Sequence, residues 1–202
     1  MLELKKVAIT GGLASGKSTV CQFFRELGAY IVSSDAIVHE TLEHPTDLGP
    51  KILRALGSDI LQNGKIDRKY LADKVFRNPD QLRKLEKILH PAVLQEIEHR
   101  YEQVRREKKY TSFVVEMPLL YEINAEGFYD VVITVVANES VAKKRFVAKG
   151  HTEQEYEERM SRQLDPSIKA KKASYTLVNN GSLADLRLEV EKINTLIGVS
   201  YS

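Results

Sequence analysis

Gly11, Gly16, Lys17 and Ser18 stand at the spacing of the G-x-x-x-x-G-K-[ST] phosphate-binding loop, within Gly11-Gly12-Leu13-Ala14-Ser15-Gly16-Lys17-Ser18. Each required residue has its own task. The loop turns tightly, so that backbone N–H groups converge on phosphate oxygens. Gly11 and Gly16 lack a Cβ that would block this approach or the unusual backbone angles. Lys17 brings a point charge to the β- and γ-phosphates. Ser18 offers a hydroxyl to a Mg²⁺ ion, and a helix that starts there turns its positive end to the anion. These residues predict binding of a nucleoside triphosphate.

The elements needed to position such a loop are present. Val7-Ala8-Ile9-Thr10 before it has the apolar run of a buried parallel strand. Val20, Phe23, Phe24 and Leu27 after it recur at helical spacing, and Gly28 is placed to end that helix. Ala29–Ser34 reads as a second strand ending at Asp35. No convincing strand is expected for about the next seventy residues. Helices fill that interval: one capped by Thr46 or Asp47 and closed by Gly57, one capped by Asp67, one opened by Pro79 and a long one opened by Pro91. A turn is expected at Leu61–Ile66. Arg100, Arg105, Arg106, Lys108 and Lys109 on the long helix read as a solvated basic face. Strands resume at Phe113–Glu116 and Val131–Val136, followed by a helix from Glu139 to Lys149. Thr152–Asp165 is charged, with no clear apolar face. A short strand, Thr176–Val178, and an amphipathic helix bearing Leu183, Leu186, Val190, Ile193 and Leu196 close the chain. Apolar strands separated by helices argue for a parallel sheet covered on both faces, with ligands at the carboxyl ends of the strands.

Composition narrows the function classes. The 202 residues suffice for one core with inserted subdomains, and a formal charge of +2 gives no argument for nucleic acid as a partner. The one cysteine, Cys21, reads as a small buried side chain. No leader pattern opens the chain and no run approaches the length of a membrane span, so no membrane association and a reducing cytoplasm are expected. The Asp-x-x-Gly and Asn-Lys-x-Asp motifs of a GTP switch are missing from the sequence. A small-molecule kinase instead needs a base, mobile cations and an acceptor pocket. Asp35 is the candidate base, Arg145, Arg159 and Arg162 are the candidate cations, and the helical interval is the candidate wall. Asp35 is equally suited to capping a helix over Ala36–Leu42.

At this point the chain resembles the dephospho-coenzyme A kinase family over almost its whole length. The family's Thr-Gly-Gly-Ile-Gly-Ser-Gly-Lys-Ser is matched by Thr10–Ser18. The last Asp of its Asp-Ala-Asp stands as Asp35, its Leu-His-Pro as Leu89-His90-Pro91, and its Pro-Leu-Leu-x-Glu as Pro118-Leu119-Leu120-Tyr121-Glu122. Its lid Arg-x-x-x-Gln is present as Arg159 and Gln163, an earlier arginine as Arg145, and its Asn-x-Gly as Asn179-Asn180-Gly181.

The resemblance implies an α/β P-loop three-layer sandwich with a five-stranded parallel sheet, a helical substrate-binding insertion and a lid. The corresponding segments are 1–35, 111–142 and 167–202 for the nucleotide-binding core, 36–110 for the helical domain and 143–166 for the lid. It implies transfer of the ATP γ-phosphoryl group to the ribose 3′-hydroxyl of dephospho-coenzyme A, with Mg²⁺ at Ser18. Asp35, Lys17, Arg145 and Arg159 would act on the reacting groups. Gly12, Ala14, Ser15, Gly16, Lys17, Ser18, Thr19 and Asn179 would hold the nucleotide. Asp35, His90, Pro118, Leu119, Leu120 and Glu122 would hold the acceptor, with Tyr121 and Phe76 either lining its pocket or lying in the core. His90 is alternatively a half-buried histidine bonded to a carbonyl, and Glu116 a partner of the metal site or of a core-edge salt bridge. A monomer or weak homo-oligomer is expected.

Three departures from the family pattern carry expectations. Ala14 replaces a glycine and should have negative φ. Lys149 replaces an arginine fork with a point charge. Ser174 stands where an Asp is common. Another nucleotide kinase, or a regulator that binds without turnover, are the alternatives.

Overall fold

The computed structural model describes residues 4–43 and 47–199; Thr46, one of the two expected caps, lies outside them. By internal packing the chain divides into residues 1–33 with 101–202, and residues 34–100.

The first unit is built on a five-stranded parallel sheet in the order β2-β5-β1-β6-β7. Strand β1 (Lys5–Gly11) leads through the phosphate-binding loop into helix α1 (Lys17–Glu26), and β2 (Tyr30–Ser33) follows. After the second unit come β5 (Ser112–Glu116), β6 (Val131–Val136), α6 (Glu139–Val147), α7 (Glu153–Met160), α8 (Pro166–Lys172), β7 (Tyr175–Val178) and α9 (Leu183–Val199). Strand β1 lies at the centre, Val7 between Val114 of β5 and Val131 of β6. Val7 and Ile9 from β1, Val20 and Phe24 from α1, and Leu186, Val190 and Ile193 from α9 share one buried cluster. Apolar burial, worth about 25 cal/mol per Å², anchors the stem of the loop in this cluster. Gly28 ends α1 as expected: its φ is 92°, and Ala29 N–H reaches back to the Phe24 carbonyl at 3.0 Å.

The second unit, residues 34–100, contains α2 (Ser34–Glu43), α3 (Leu48–Leu56), a β3–β4 hairpin (Leu61–Gln62, Lys65–Ile66), α4 (Arg68–Phe76) and the first part of α5 (Pro79–Glu107). Ile52, Leu56, Ile60, Leu71, Val75, Leu85 and Leu89 form its core. Asp67 caps α4 by accepting from Tyr70 N–H at 3.0 Å.

Several expectations are corrected. The turn at Leu61–Ile66 closes two short antiparallel strands; Asn63 and Gly64 both have positive φ, as a two-residue hairpin turn requires. The helices opened by Pro79 and Pro91 are one helix, with Pro91 inside it. Its start is fixed by Asn78, whose side chain accepts from Asp80 N–H and Gln81 N–H at 3.0 and 3.2 Å. Asp47 occupies the N-cap position of α3 without a side-chain cap bond.

Helix α8 is an addition: Asp165 caps it by accepting from Ser167 N–H at 2.7 Å, and Pro166 opens it, where its missing N–H costs nothing. The stretch Thr152–Asp165 does have an apolar contact. Thr152 and Glu155 form a capping box, and Tyr156, 3% exposed, packs with Ala142 and Phe146, against which Met160, Leu13 and Ala14 also rest. One turn of helix needs only residues i and i+4 for such a seat. Ala14 has φ +53°, not a negative value. The loop demands a left-handed residue there, at a cost of about 1–2 kcal/mol for one with a Cβ.

One buried ion pair belongs to this unit. Lys169 of α8 is 0% exposed; its ammonium lies 2.7 Å from Glu122 Oε1 and donates to the Pro118 carbonyl at 2.7 Å. Burial pulls its pKa down, and the Glu122 carboxylate opposes that pull.

Two outcomes follow from these contacts. Pro91 is exposed, and a proline in a helix interior costs about 3 kcal/mol against Ala, less about 1 kcal/mol for the stiffer unfolded chain. Pro91→Ala should therefore stabilise the protein by about 2 kcal/mol in urea unfolding; a lowered midpoint would show that the helix needs its proline. Lys169→Met leaves the Glu122 carboxylate buried without its counter-ion and should cost about 3–5 kcal/mol. Adding Glu122→Gln should recover most of that loss, and a single variant as stable as the parent would refute the pair.

Candidate active site

The phosphate-binding loop is shaped by what presses on it. Gly11 has φ +141°, and a Cβ there would lie 2.1 Å from the Val135 carbonyl oxygen of β6. Gly16 has φ +103°, and a Cβ would lie 2.1 Å from Asn179 Nδ2. Neither position accepts another residue without moving backbone or a buried amide. Gly12 is approached from the other side by Pro166 Cγ, 3.1 Å from where its Cβ would be. Sheet, α8 and the segment after β7 thus fix the loop between β1 and α1.

Lys17 is buried and donates to the carbonyls of Gly12 and Gly11 at 2.8 and 3.2 Å. These are neutral acceptors, weaker for an ammonium than phosphate oxygens. Ser18 is exposed, and its hydroxyl donates to Glu116 Oε1 at 2.8 Å. Glu116 stands at the carboxyl end of β5, in register with Ile9 of β1 and Ser33 of β2. Of the two roles open for Glu116, this bond favours the one beside the hydroxyl expected to bind metal. Ser15 is buried, and its hydroxyl has no hydrogen-bond partner. Thr19 is half-buried in the first turn of α1. Cys21 is buried, and desolvation pushes its thiol pKa far up, which leaves it inert.

Asn179 and Arg145 meet. Arg145 Nη1 donates to the Asn179 carbonyl at 3.0 Å and Nη2 to its Oδ1 at 3.3 Å. Asn179 Nδ2 donates to the Ser15 carbonyl at 2.8 Å. Arg159 is exposed, with its guanidinium 5.4 Å from the centre of the Phe146 ring. Phe146 also stacks on His151 at 4.4 Å. Arg162 is exposed.

The Pro118–Glu122 segment divides. Leu120 and Tyr121 are buried, Leu120 completely, so these two serve the core rather than a pocket wall. Pro118 and Leu119 are half-buried; the Pro118 carbonyl also accepts from the Thr10 hydroxyl at 3.2 Å. Glu122, 15% exposed, holds Lys169 and accepts from Leu164 N–H at 2.8 Å, which makes it a fastener for the chain after α7 and for α8. Ser174 replaces the expected carboxylate in kind: its hydroxyl accepts from Val132 N–H at 3.1 Å. Lys149 is exposed.

In the unit of residues 34–100, α2 begins at Ser34, so Asp35 lies in its first turn and not at the cap. The Asp35 carboxylate is exposed, and its bond from the Ser34 hydroxyl is long, 3.5 Å. His90 is half-buried; desolvation lowers its pKa and Glu86 partly opposes that. Phe76 is 53% exposed and is no core residue.

Sequence reasoning missed Lys169 and the buried bonds of Asn179. Asp165-Pro166 was a usable signal for the helix that carries Lys169; nothing in the sequence marks Asn179 as a partner of the loop.

Comparison with known proteins agrees with this layout. The model of the family described as "Dephospho-CoA kinase" matches residues 5–185. A dephospho-CoA kinase of Protochlamydia amoebophila is 45% identical over 195 residues, 96% of each chain. Among solved structures, a Thermus thermophilus protein superposes with TM-score 0.82 at 28% identity, over 96% of this chain and 98% of that one. A dephospho-CoA kinase from Campylobacter jejuni superposes with TM-score 0.72 at 29% identity, over 98% of both chains. With a core sheet of the expected order of elements, a complete phosphate-binding loop and this match over nearly all of its length, the chain belongs to the dephospho-CoA kinase family.

Proposed function

We propose that the loop and Asp35 carry out in-line transfer of the ATP γ-phosphoryl group to the ribose 3′-hydroxyl of dephospho-coenzyme A. Membership of the family makes the chain an ATP-dependent kinase acting on that substrate. The residue roles below are our reading of the family motifs and of the local surroundings of each residue.

In this reading Gly12–Thr19 hold the phosphates, and Lys17 exchanges the Gly11 and Gly12 carbonyls for β- and γ-oxygens. Ser18 and Glu116 form an all-oxygen pair, and that donor chemistry suits Mg²⁺, which takes one or two protein oxygens together with substrate phosphates. The ion would neutralise charge on the β- and γ-oxygens. Asp35 takes the proton of the ribose hydroxyl as its oxygen bonds to γ-phosphorus and the bond to the β–γ bridging oxygen breaks. By the family motifs, His90, Pro118 and Leu119 would position the acceptor. Arg159 meets the charge that spreads over the transferring group, as the segment 143–166 excludes water. The reading further includes a cytoplasmic setting and a monomer or weak homo-oligomer. Among the described residues, no helix is long and apolar enough to cross a membrane.

The observation that carries this reading is the loop itself: two glycines at positive φ where packing leaves no room for a Cβ, with Lys17 and Ser18 beside them and Glu116 in reach of Ser18. ADP release measured across acceptors tests it. Dephospho-coenzyme A should support turnover and nucleoside monophosphates should not. Turnover with a monophosphate alone would favour a nucleotide kinase, and none with any acceptor would favour a binder.

Two substitutions test the roles. Lys17→Ala should lower kcat by about 10²–10³-fold, the usual loss on removing one stabiliser of developing charge, while the protein stays folded. Asp35→Asn keeps size and removes the base, so kcat should fall by about 10²–10⁴-fold with Tm and ATP affinity unchanged. Full activity in either folded variant would remove that residue from the mechanism.

A further inference from the structure

Asn179 is named by its motif as a nucleotide contact, yet it is only 4% exposed and all of its polar groups are used inside the protein. Its N–H donates to the Val136 carbonyl at 2.8 Å, extending the β6–β7 ladder by one residue. Its carbonyl and Oδ1 accept from Arg145, and Nδ2 donates to the Ser15 carbonyl. The two neighbours settle which way the amide faces. A guanidinium has only donors, so it demands Oδ1; a carbonyl has only acceptors, so it demands Nδ2.

The consequence lies in the Ser15–Gly16 peptide. A trans peptide is planar, and its C=O and N–H point in opposite directions. With the Ser15 carbonyl drawn to Asn179, the Gly16 N–H is turned away from Asn179. Convergence of such N–H groups is what lets a glycine-rich loop bind phosphate. Packing agrees, because a Cβ on Gly16 would strike Asn179 Nδ2 at 2.1 Å.

We infer that Asn179 is a positioning residue for the phosphate-binding loop: it sets the orientation of the Ser15–Gly16 peptide, and the Arg145 fork holds its amide in the orientation that does so. Arg145 then acts through Asn179, and the charge over the transferring group is left to Arg159. This rests on the loop being the ATP phosphate site. It explains why an amide is needed at 179. Aspartate would still accept from Arg145 but would set an oxygen against the Ser15 carbonyl, and a smaller residue would keep only the backbone bond from Arg145.

The test compares ligands with and without the base. Binding of ADP and of inorganic tripolyphosphate is measured calorimetrically for the parent, Asn179→Asp and Arg145→Lys, with Tm recorded for each. Loss of the donor to a buried carbonyl should weaken both ligands at least about tenfold in Asn179→Asp, by the same factor. Weakening of ADP with tripolyphosphate unaffected would mean a base contact and overturn the inference, as would parent-like binding of both. Arg145→Lys keeps the charge and loses the fork, so it separates the two roles and stands even if the first variant does not fold. Tripolyphosphate binding should weaken several-fold; parent-like binding would overturn the role of Arg145 as holder of the amide. Failure of the parent to bind either ligand would count against the proposed function itself, not against this role within it.

Discussion

Backbone N–H groups must surround a polyanion with no side chain in the way, and the remainder of the first unit serves that requirement. A free loop would lose the arrangement to entropy, since each ordered residue costs about 1–2 kcal/mol of backbone freedom. Here the stem is the central strand of the sheet, with Val7, Ala8 and Ile9 fully buried. The outlet is α1, anchored by Val20 and Phe24 in the same cluster as α9. Val135, Asn179 and Pro166 then press on Gly11, Gly16 and Gly12 in turn. The glycines are required because their neighbours come so close, and the neighbours are rigid because they belong to the sheet or to helices packed on it.

The reacting groups are kept polar but occupied. Lys17 is satisfied by two carbonyls of its own loop, and Ser18 by Glu116. A buried ammonium without partners would lose its proton or distort the loop. The carbonyls are neutral acceptors, and a phosphate oxygen is the stronger partner when one arrives. The segment 152–165 is tied to the same place. Tyr156 of α7 shares its cluster with Leu13 and Ala14, which are loop residues, and Glu122 fastens Leu164 beyond the far end of that helix. Arg159 follows Tyr156 by three residues on α7, and its guanidinium lies 5.4 Å from the centre of the Phe146 ring of that cluster.

The parts legible in the sequence are those governed by local rules. Alternation of apolar runs with helical spacing located all five strands of the main sheet, and single residues such as Gly28 and Asp67 marked ends correctly because each acts within one turn of chain. Lys17 and Ser18 are marked by the spacing of the loop motif, whereas Asp35 is marked only as a candidate base or helix cap. The failures have a common cause in tertiary context. Pro91 was read as a helix start, but a long helix with apolar contacts on both sides of it runs through. Tyr156 and Met160 were too few to register as a face, and become one only because Leu13, Ala14 and Phe146 supply the seat. Leu120 and Glu122 were placed with the acceptor by motif, although burial and Lys169 commit them to the fold.

Ala14 shows how far the loop's demand extends. A left-handed alanine is strained by about 1–2 kcal/mol, and glycine would remove that strain. Glycine would also add about 0.4–1 kcal/mol of unfolded-state entropy and remove a methyl group from the cluster of Phe146 and Tyr156. These terms nearly cancel, so a Cβ at this position is tolerable although the backbone disfavours it. At Gly16 no such cancellation is available. The φ is also positive, but the added atom would meet Asn179 Nδ2 at 2.1 Å, the very group that holds the Ser15 carbonyl. Two neighbouring positions with the same sign of φ therefore differ in what they tolerate: at Ala14 the surroundings absorb a side chain, and at Gly16 they are the device that aims the peptide.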